Sequence, residues 1–201
     1  PARSATPSPT ASVDLMTTER LPGIVTRALR ASLEAGFVDT TRTETGRLLA
    51  TLAASADGPI ADFGTGCGVG AAWLRWGAPS DLEVFTVESD AGLARRALDV
   101  FGSDAITVLH GDWSDLTEHG PFALLSAGEA VARQDVSGAM IDLLRPGGIA
   151  VIDDLAPRGF TSSYDPVRHC WLDDPRLVAA EVPVSSDACA IVATKSRDPR
   201  I

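Results

Sequence analysis

Four glycines at alternate positions follow an acidic residue in Asp62-Phe63-Gly64-Thr65-Gly66-Cys67-Gly68-Val69-Gly70, the stretch of this chain best suited to hold a ligand. Glycines in such a turn accept positive φ and, lacking Cβ, let a bound molecule lie against the backbone. The free N–H groups at the start of a following helix favour an anionic group at the same place. A second acid, Glu88, lies 22 residues past Gly66, where a βαβ unit brings a carboxylate to the same sheet edge. A carboxylate there can accept both hydroxyls of a ribose.

The surrounding elements must place these groups together. Pro59-Ile60-Ala61 is an apolar run leading into Asp62, and Ala71-Ala72-Trp73-Leu74 is helix-compatible, so the motif reads as strand, turn, helix. Further strands are predicted over 82–87, ending at Glu88, over 105–109, over 121–125 and over 149–152, ending at Asp153-Asp154. Helices are predicted over 91–101, with Leu93, Ala97, Leu98 and Phe101 inward, and over 135–144, before Arg145-Pro146-Gly147-Gly148. Two β-like runs, 177–184 and 188–194, are separated only by Ser185-Ser186-Asp187, a hairpin-length gap. Upstream, Val25, Leu29 and Leu33 share a helical face closed by Gly36, and a second helix starts near Thr43 with Leu48, Leu49, Leu52 and Ala53 inward. The chain divides into a disordered Pro-, Ser- and Thr-rich tail over 1–12, N-terminal helices over 13–58, and one ligand-binding domain over 59–201.

Composition narrows the partners. A chain of 201 residues, 45% hydrophobic, fits one domain with a full core. No apolar run approaches the roughly 20 residues of a membrane span, and the N-terminus carries no apolar signal core, so a cytoplasmic location and no membrane partner are expected. With 17 basic against 27 acidic side chains, a net charge of −10 and no basic stripe, nucleic acid is not an expected partner and a small molecule is. The three cysteines, Cys67, Cys170 and Cys189, are odd in number and scattered, suggesting neither disulfides nor zinc.

The pattern Asp62-x-Gly64-x-Gly66-x-Gly68 resembles the first motif of class I S-adenosylmethionine-dependent methyltransferases, in which the turn accommodates the methionine end of the cofactor. A dinucleotide fingerprint can be laid on Gly66 to Ala71, but such an isolated match is weak. From about Thr43 to Lys195 the chain resembles the catechol and caffeoyl-coenzyme A type of small-molecule O-methyltransferase. The reminders are Thr43-Glu44-Thr45-Gly46-Arg47-Leu48-Leu49, Arg145-Pro146-Gly147-Gly148, and the ending from Asp174-Pro175-Arg176-Leu177 through Val182-Pro183-Val184 to Ala193-Thr194-Lys195. The resemblance implies a Rossmann-like α/β fold: a mostly parallel seven-stranded sheet, a C-terminal antiparallel hairpin, and helices on both faces. It also implies S-adenosylmethionine as cofactor, S-adenosylhomocysteine as product, and a possible homodimer. The cofactor contacts expected are Asp62, Gly64, Thr65, Gly66, Gly68, Glu88, Ser89, Asp112, Trp113 and Ser126. Of these, Asp112 supplies an acceptor for the adenine amino group and Trp113 a stacking face, although Trp113 serves equally well as core filler.

The family's catalytic pattern is broken here. Its members usually bind a divalent metal through an Asp after the fourth strand and an Asp-Asn pair after the fifth, with a Lys as base. This chain has Ser126 for the first Asp, Glu129 for the Lys, and Asp153-Asp154 for the pair. A catalytic metal is therefore not expected, and His169, Asp153 and Asp154 become the candidate proton acceptors. Methyl transfer to a small-molecule acceptor, at a hydroxyl oxygen and without metal, is the leading expectation. A cofactor-binding sensor or partner subunit that has lost catalysis is the second. An NAD-linked oxidoreductase is third, disfavoured by the terminal hairpin and by the lack of a Tyr-x-x-x-Lys pair.

Overall fold

The computed structural model describes residues 20–133, 137–158 and 164–198; the tail 1–12, the start of the helix expected over 135–144 and part of the segment before His169 lie outside them. The elements run α1 (Gly23–Ala35), α2 (Thr43–Ala53), β1 (Ile60–Phe63), α3 (Val69–Gly77), β2 (Val84–Glu88), α4 (Ala91–Phe101), β3 (Ile106–His110), a 3-10 helix (Trp113–His119), β4 (Phe122–Gly128), α5 (Glu129–Ala132), α6 (Ser137–Leu143), β5 (Leu144–Leu155), α7 (Pro166–Leu172), β6 (Leu177–Pro183) and β7 (Cys189–Lys195). The strands form one seven-stranded sheet in the order β3-β2-β1-β4-β5-β7-β6. β1 to β5 are parallel, while β7 runs antiparallel to β5 and to β6. No described helix is long and apolar enough to cross a membrane.

Strands β1, β2 and β4 read as nearly continuous apolar runs because helices cover both sheet faces. The period of two then decides which residue meets which layer. Ile60, Val84, Leu124 and Val151 pack with Leu49 of α2 and Leu74 of α3, whereas Ala61, Phe63, Phe85, Leu125 and Ile152 pack with Met140, Ile141 and Trp171 on the other side. Each large apolar side chain so buried stabilises the fold by about 1.5–3 kcal/mol.

The α2–α3 crossing is held close by missing side chains. A Cβ on Gly46 would lie 2.2 Å from Nε1 of the buried Trp73, and one on Gly77 would lie 2.1 Å from the Ala50 carbonyl oxygen. The same closeness corrects two sequence expectations. α1 buries Val25, Ala28 and Ser32, and α4 buries Ala94, Ala97 and Phe101, so Leu33 is 79% exposed and Leu98 48% exposed. Small residues face the neighbouring helices, and the leucines fall one position round each helix.

The Pro-Gly-Gly stretch also differs from its reading as the close of a helix over 135–144 ahead of a strand over 149–152. β5 begins at Leu144, which pairs with Phe122, and the register then jumps to Leu124 opposite Ile149. Pro146 has no N–H for the ladder and Gly147 takes φ 82°, so the segment is absorbed as a bulge. The 3-10 helix, α5 and α7 are further elements that the apolar periodicity did not indicate.

Candidate active site

Strand order reverses at β1, which pairs with β2 on one side and β4 on the other, and ligands of such sheets bind beyond the carboxyl ends at that switch point. A cavity of about 300 Å³ opens there, lined by the ends of β1, β2, β4 and β5 and by the loop between α1 and α2. That volume lies at the small end of the range for small-molecule sites.

Sheet parity accounts for the polar floor. Thr86, Asp62 and Ser126 are register partners on three neighbouring strands, so their side chains leave the same face side by side. Ser126 Oγ donates to Asp62 Oδ1, Thr86 Oγ1 donates to Asp62 Oδ2 at 3.3 Å, and Thr65 Oγ1 lies 2.6 Å from Thr86 Oγ1. Asp62 is 6% exposed, and burial pushes its carboxyl up to about 6 against the pull of these donors and of the Ala71 N–H.

Two residues further along each strand, the same face carries Glu88 and Asp153. Glu88 Oε2 accepts from Gly66 N at 2.7 Å and Oε1 accepts from Asp90 N at 2.9 Å, which fixes the carboxylate under the glycine turn. Asp153 sits opposite Gly128 in the β4–β5 register, so no side chain from β4 shields it from the cavity. It is 9% exposed, and burial, then the charges of Asp62 and Asp154, push its carboxyl up to about 7. Asp154 adopts a left-handed conformation at φ 61° and accepts from Arg42 Nε at 3.3 Å. Arg42 also reaches Asp187 at 3.1 Å, tying the α1–α2 loop to the turn between β6 and β7.

The glycine turn keeps the cavity open. Gly64 and Gly66 line it with φ of 87° and 53°, and a Cβ on Gly66 would meet the Phe37 ring at 2.7 Å. Phe37 thus forms the wall facing the turn. Ser89, Asp112, Trp113 and Glu129 complete the lining named from the sequence. Asp112 caps the 3-10 helix, accepting from Ser114 N at 2.7 Å, and the Ser114 bonds hold its carboxyl below the usual range. Trp113 is partly buried against the core and also lines the cavity.

Neither a family model nor a curated relative matches the sequence. Solved structures do. An O-methyltransferase from Bacillus cereus in complex with SAH superposes with TM-score 0.73 at 20% identity, over 90% of this chain and 94% of that one. Cofactor-bound Rv0187 from MTB gives 0.74 at 24% identity, over 90% and 94%. The O-methyltransferase TomG from Streptomyces achromogenes in complex with SAM gives 0.71 at 19% identity, over 88% and 91%. The chain has the O-methyltransferase fold.

Within that fold three sequence-named residues fall outside the main cavity. Thr65 lies beneath the turn, bonded to Thr86, and lines a small adjoining recess. Gly68 opens α3 at φ 95°, where a Cβ would be 2.5 Å from the Phe101 ring, so its part is to let the turn pack on α4. His169 is the larger correction: it lies exposed on α7, its Nδ1 2.9 Å from Asp173 Oδ2 and its ring near Tyr164, away from the lining residues. Asp165 and Pro166 set the start of α7, and Val167 and Trp171 turn into the core, which rotates His169 to solvent.

A divalent metal does not fit the residues present. Ser126 gives its hydroxyl to Asp62, Asp154 is held by Arg42, and among the described residues no three His, Cys, Asp or Glu side chains converge as a ligand set. Sequence reasoning missed Phe37, Thr40 and Thr41 of the α1–α2 loop, together with Leu93 and Val131. The one available signal was an aromatic residue directly after the helix-closing Gly36.

Proposed function

We propose that the protein is a class I S-adenosylmethionine-dependent methyltransferase that methylates a hydroxyl oxygen of a small molecule without a metal ion. The observation that carries the reading is the cradle of Gly64, Gly66 and Glu88 at the switch point of a sheet shared with SAH- and SAM-bound O-methyltransferases. The residues suit the cofactor. The turn has no Cβ to obstruct it, Glu88 and Asp112 present carboxylates for ribose and adenine, and Asp62 with Ser126 offers an acidic floor for an ammonium group. Once bound, S-adenosylmethionine supplies an already activated methyl group on a sulfonium.

What remains for the protein is alignment and exclusion of water. Phe37 and Val131 close the cavity with apolar surface near the turn. Asp153, at the β5 edge, is the carboxylate that meets the acceptor. With a carboxyl near 7 it is ionised above neutral pH, where it can fix an acceptor by charge.

Incubation with methyl-labelled S-adenosylmethionine and a panel of phenols and catechols, with and without EDTA, tests the proposal. Label should enter at least one acceptor, with EDTA changing the rate less than twofold. Transfer to no acceptor, or transfer abolished by EDTA, contradicts it.

A further inference from the structure

Asp153 is the carboxylate to which the protein gives no side-chain donor, Arg42, already paired with Asp154 and Asp187, being the cation whose charge acts on it. Seven acidic side chains line the cavity, and among the described residues no Lys, Arg or His lines it. Most of the seven are already answered. Glu88 and Asp112 accept from backbone N–H groups, Asp62 from Thr86 and Ser126, Glu129 pairs with Arg133, and Asp154 pairs with Arg42. Asp39 is exposed to solvent in the α1–α2 loop. Asp153 is nine-tenths buried and, apart from its own backbone N–H, receives no donor from a described residue.

A buried carboxylate without a partner is costly, and the cost falls when a cation enters beside it. Gly128 opposite leaves the approach open; even a Cβ there would come no nearer than 3.6 Å to Asp153 Oδ1. We propose that the β5 end of the cavity selects a cationic acceptor, a small molecule whose protonated amine is held by the Asp153 carboxylate. The inference rests on the methyltransferase reading and adds to it the charge class of the substrate. A neutral acceptor leaves Asp153 unanswered, and an anionic one adds a like charge to a cavity lined by seven acids.

Three phenols differing in charge test it: tyramine, 4-methylphenol and 4-hydroxyphenylacetate, titrated calorimetrically at pH 8 into protein loaded with S-adenosylhomocysteine. Tyramine should bind at least tenfold more tightly than either of the others. In Asp153→Asn that preference should shrink to less than threefold while S-adenosylhomocysteine affinity stays within threefold of the parent. The substitution keeps the side chain's size and removes an uncompensated buried charge, so the variant is expected to fold. Failure of tyramine to bind, binding no tighter than that of the neutral phenol, or a preference unchanged in Asp153→Asn overturns the inference and leaves the methyltransferase reading standing. A tenfold loss of S-adenosylhomocysteine affinity in Asp153→Asn assigns Asp153 to the cofactor's own ammonium and equally overturns it. Parent protein that binds no S-adenosylhomocysteine removes the underlying reading and the inference together.

Discussion

Asp62 and Asp153 project from the same face of the sheet, a rung apart, and both are withdrawn from water. Asp62 is the less exposed of the two, 6% against 9%, yet its carboxyl rises only to about 6 where that of Asp153 rises to about 7. Hydrogen bonds account for the inversion. Thr86, Ser126 and the Ala71 N–H favour the charged form of Asp62, whereas Asp153 faces Asp62 and Asp154 without comparable donors. The turn end of the cavity is thus finished by the protein, and the β5 end is left for a ligand to complete.

The sharpest way to break this contrast is to spoil the finished end. Gly66→Val places a branched side chain at φ 53° and into the Phe37 ring, so S-adenosylhomocysteine affinity should fall at least a hundredfold, about 2.7 kcal/mol, as read by calorimetry. Near-parental affinity would show that the ligand does not lie against the turn.

At the unfinished end the largest effect is on stability. The carboxyl of Asp153 titrates near 7 in the folded protein against an ordinary 3.8, so the folded state holds that proton more tightly than the unfolded chain. Its neutral form supports the fold at low pH, and this support is lost as pH rises from about 4 through about 7. Asp153→Asn should therefore raise stability by on the order of 2 kcal/mol at pH 8 and by little at pH 4. Thermal melts across that range check the sign, and a variant less stable at pH 8 would mean that Asp153 has a partner in the folded protein.

A smaller effect is expected at Glu88. Glu88→Ala removes two carboxylate acceptors, one of which orders Gly66, and should weaken S-adenosylhomocysteine binding about tenfold, with partial recovery in Glu88→Gln. The smallest belongs to His169→Ala, which should leave methyl transfer within twofold of the parent because the ring lies on the exposed side of α7. A hundredfold loss of turnover in that variant would place a proton acceptor on α7.

The sequence carried the strand ends plainly, because an acid or serine closing an apolar run is a local signal. Asp62, Glu88, Ser126 and Asp153 all sit where such runs stop, and parallel pairing carries them to one edge. What resisted reading depends on rotation and on distant packing. His169 follows Asp165-Pro166 by a few residues, and only the burial of Val167 and Trp171 decides that its ring faces solvent. Phe37 reaches Gly66 because α1 packs on α3 and α4, a relation no spacing within the loop encodes. Leu33 and Leu98 were misplaced for a related reason: alanines, not leucines, permit the close helix contacts.

The most direct test of the central claim is titration of the protein with S-adenosylhomocysteine and, separately, with NAD. One molecule of S-adenosylhomocysteine per chain with micromolar affinity, and NAD at least a hundredfold weaker, is the predicted result. No binding of S-adenosylhomocysteine, or tighter binding of NAD, would contradict it.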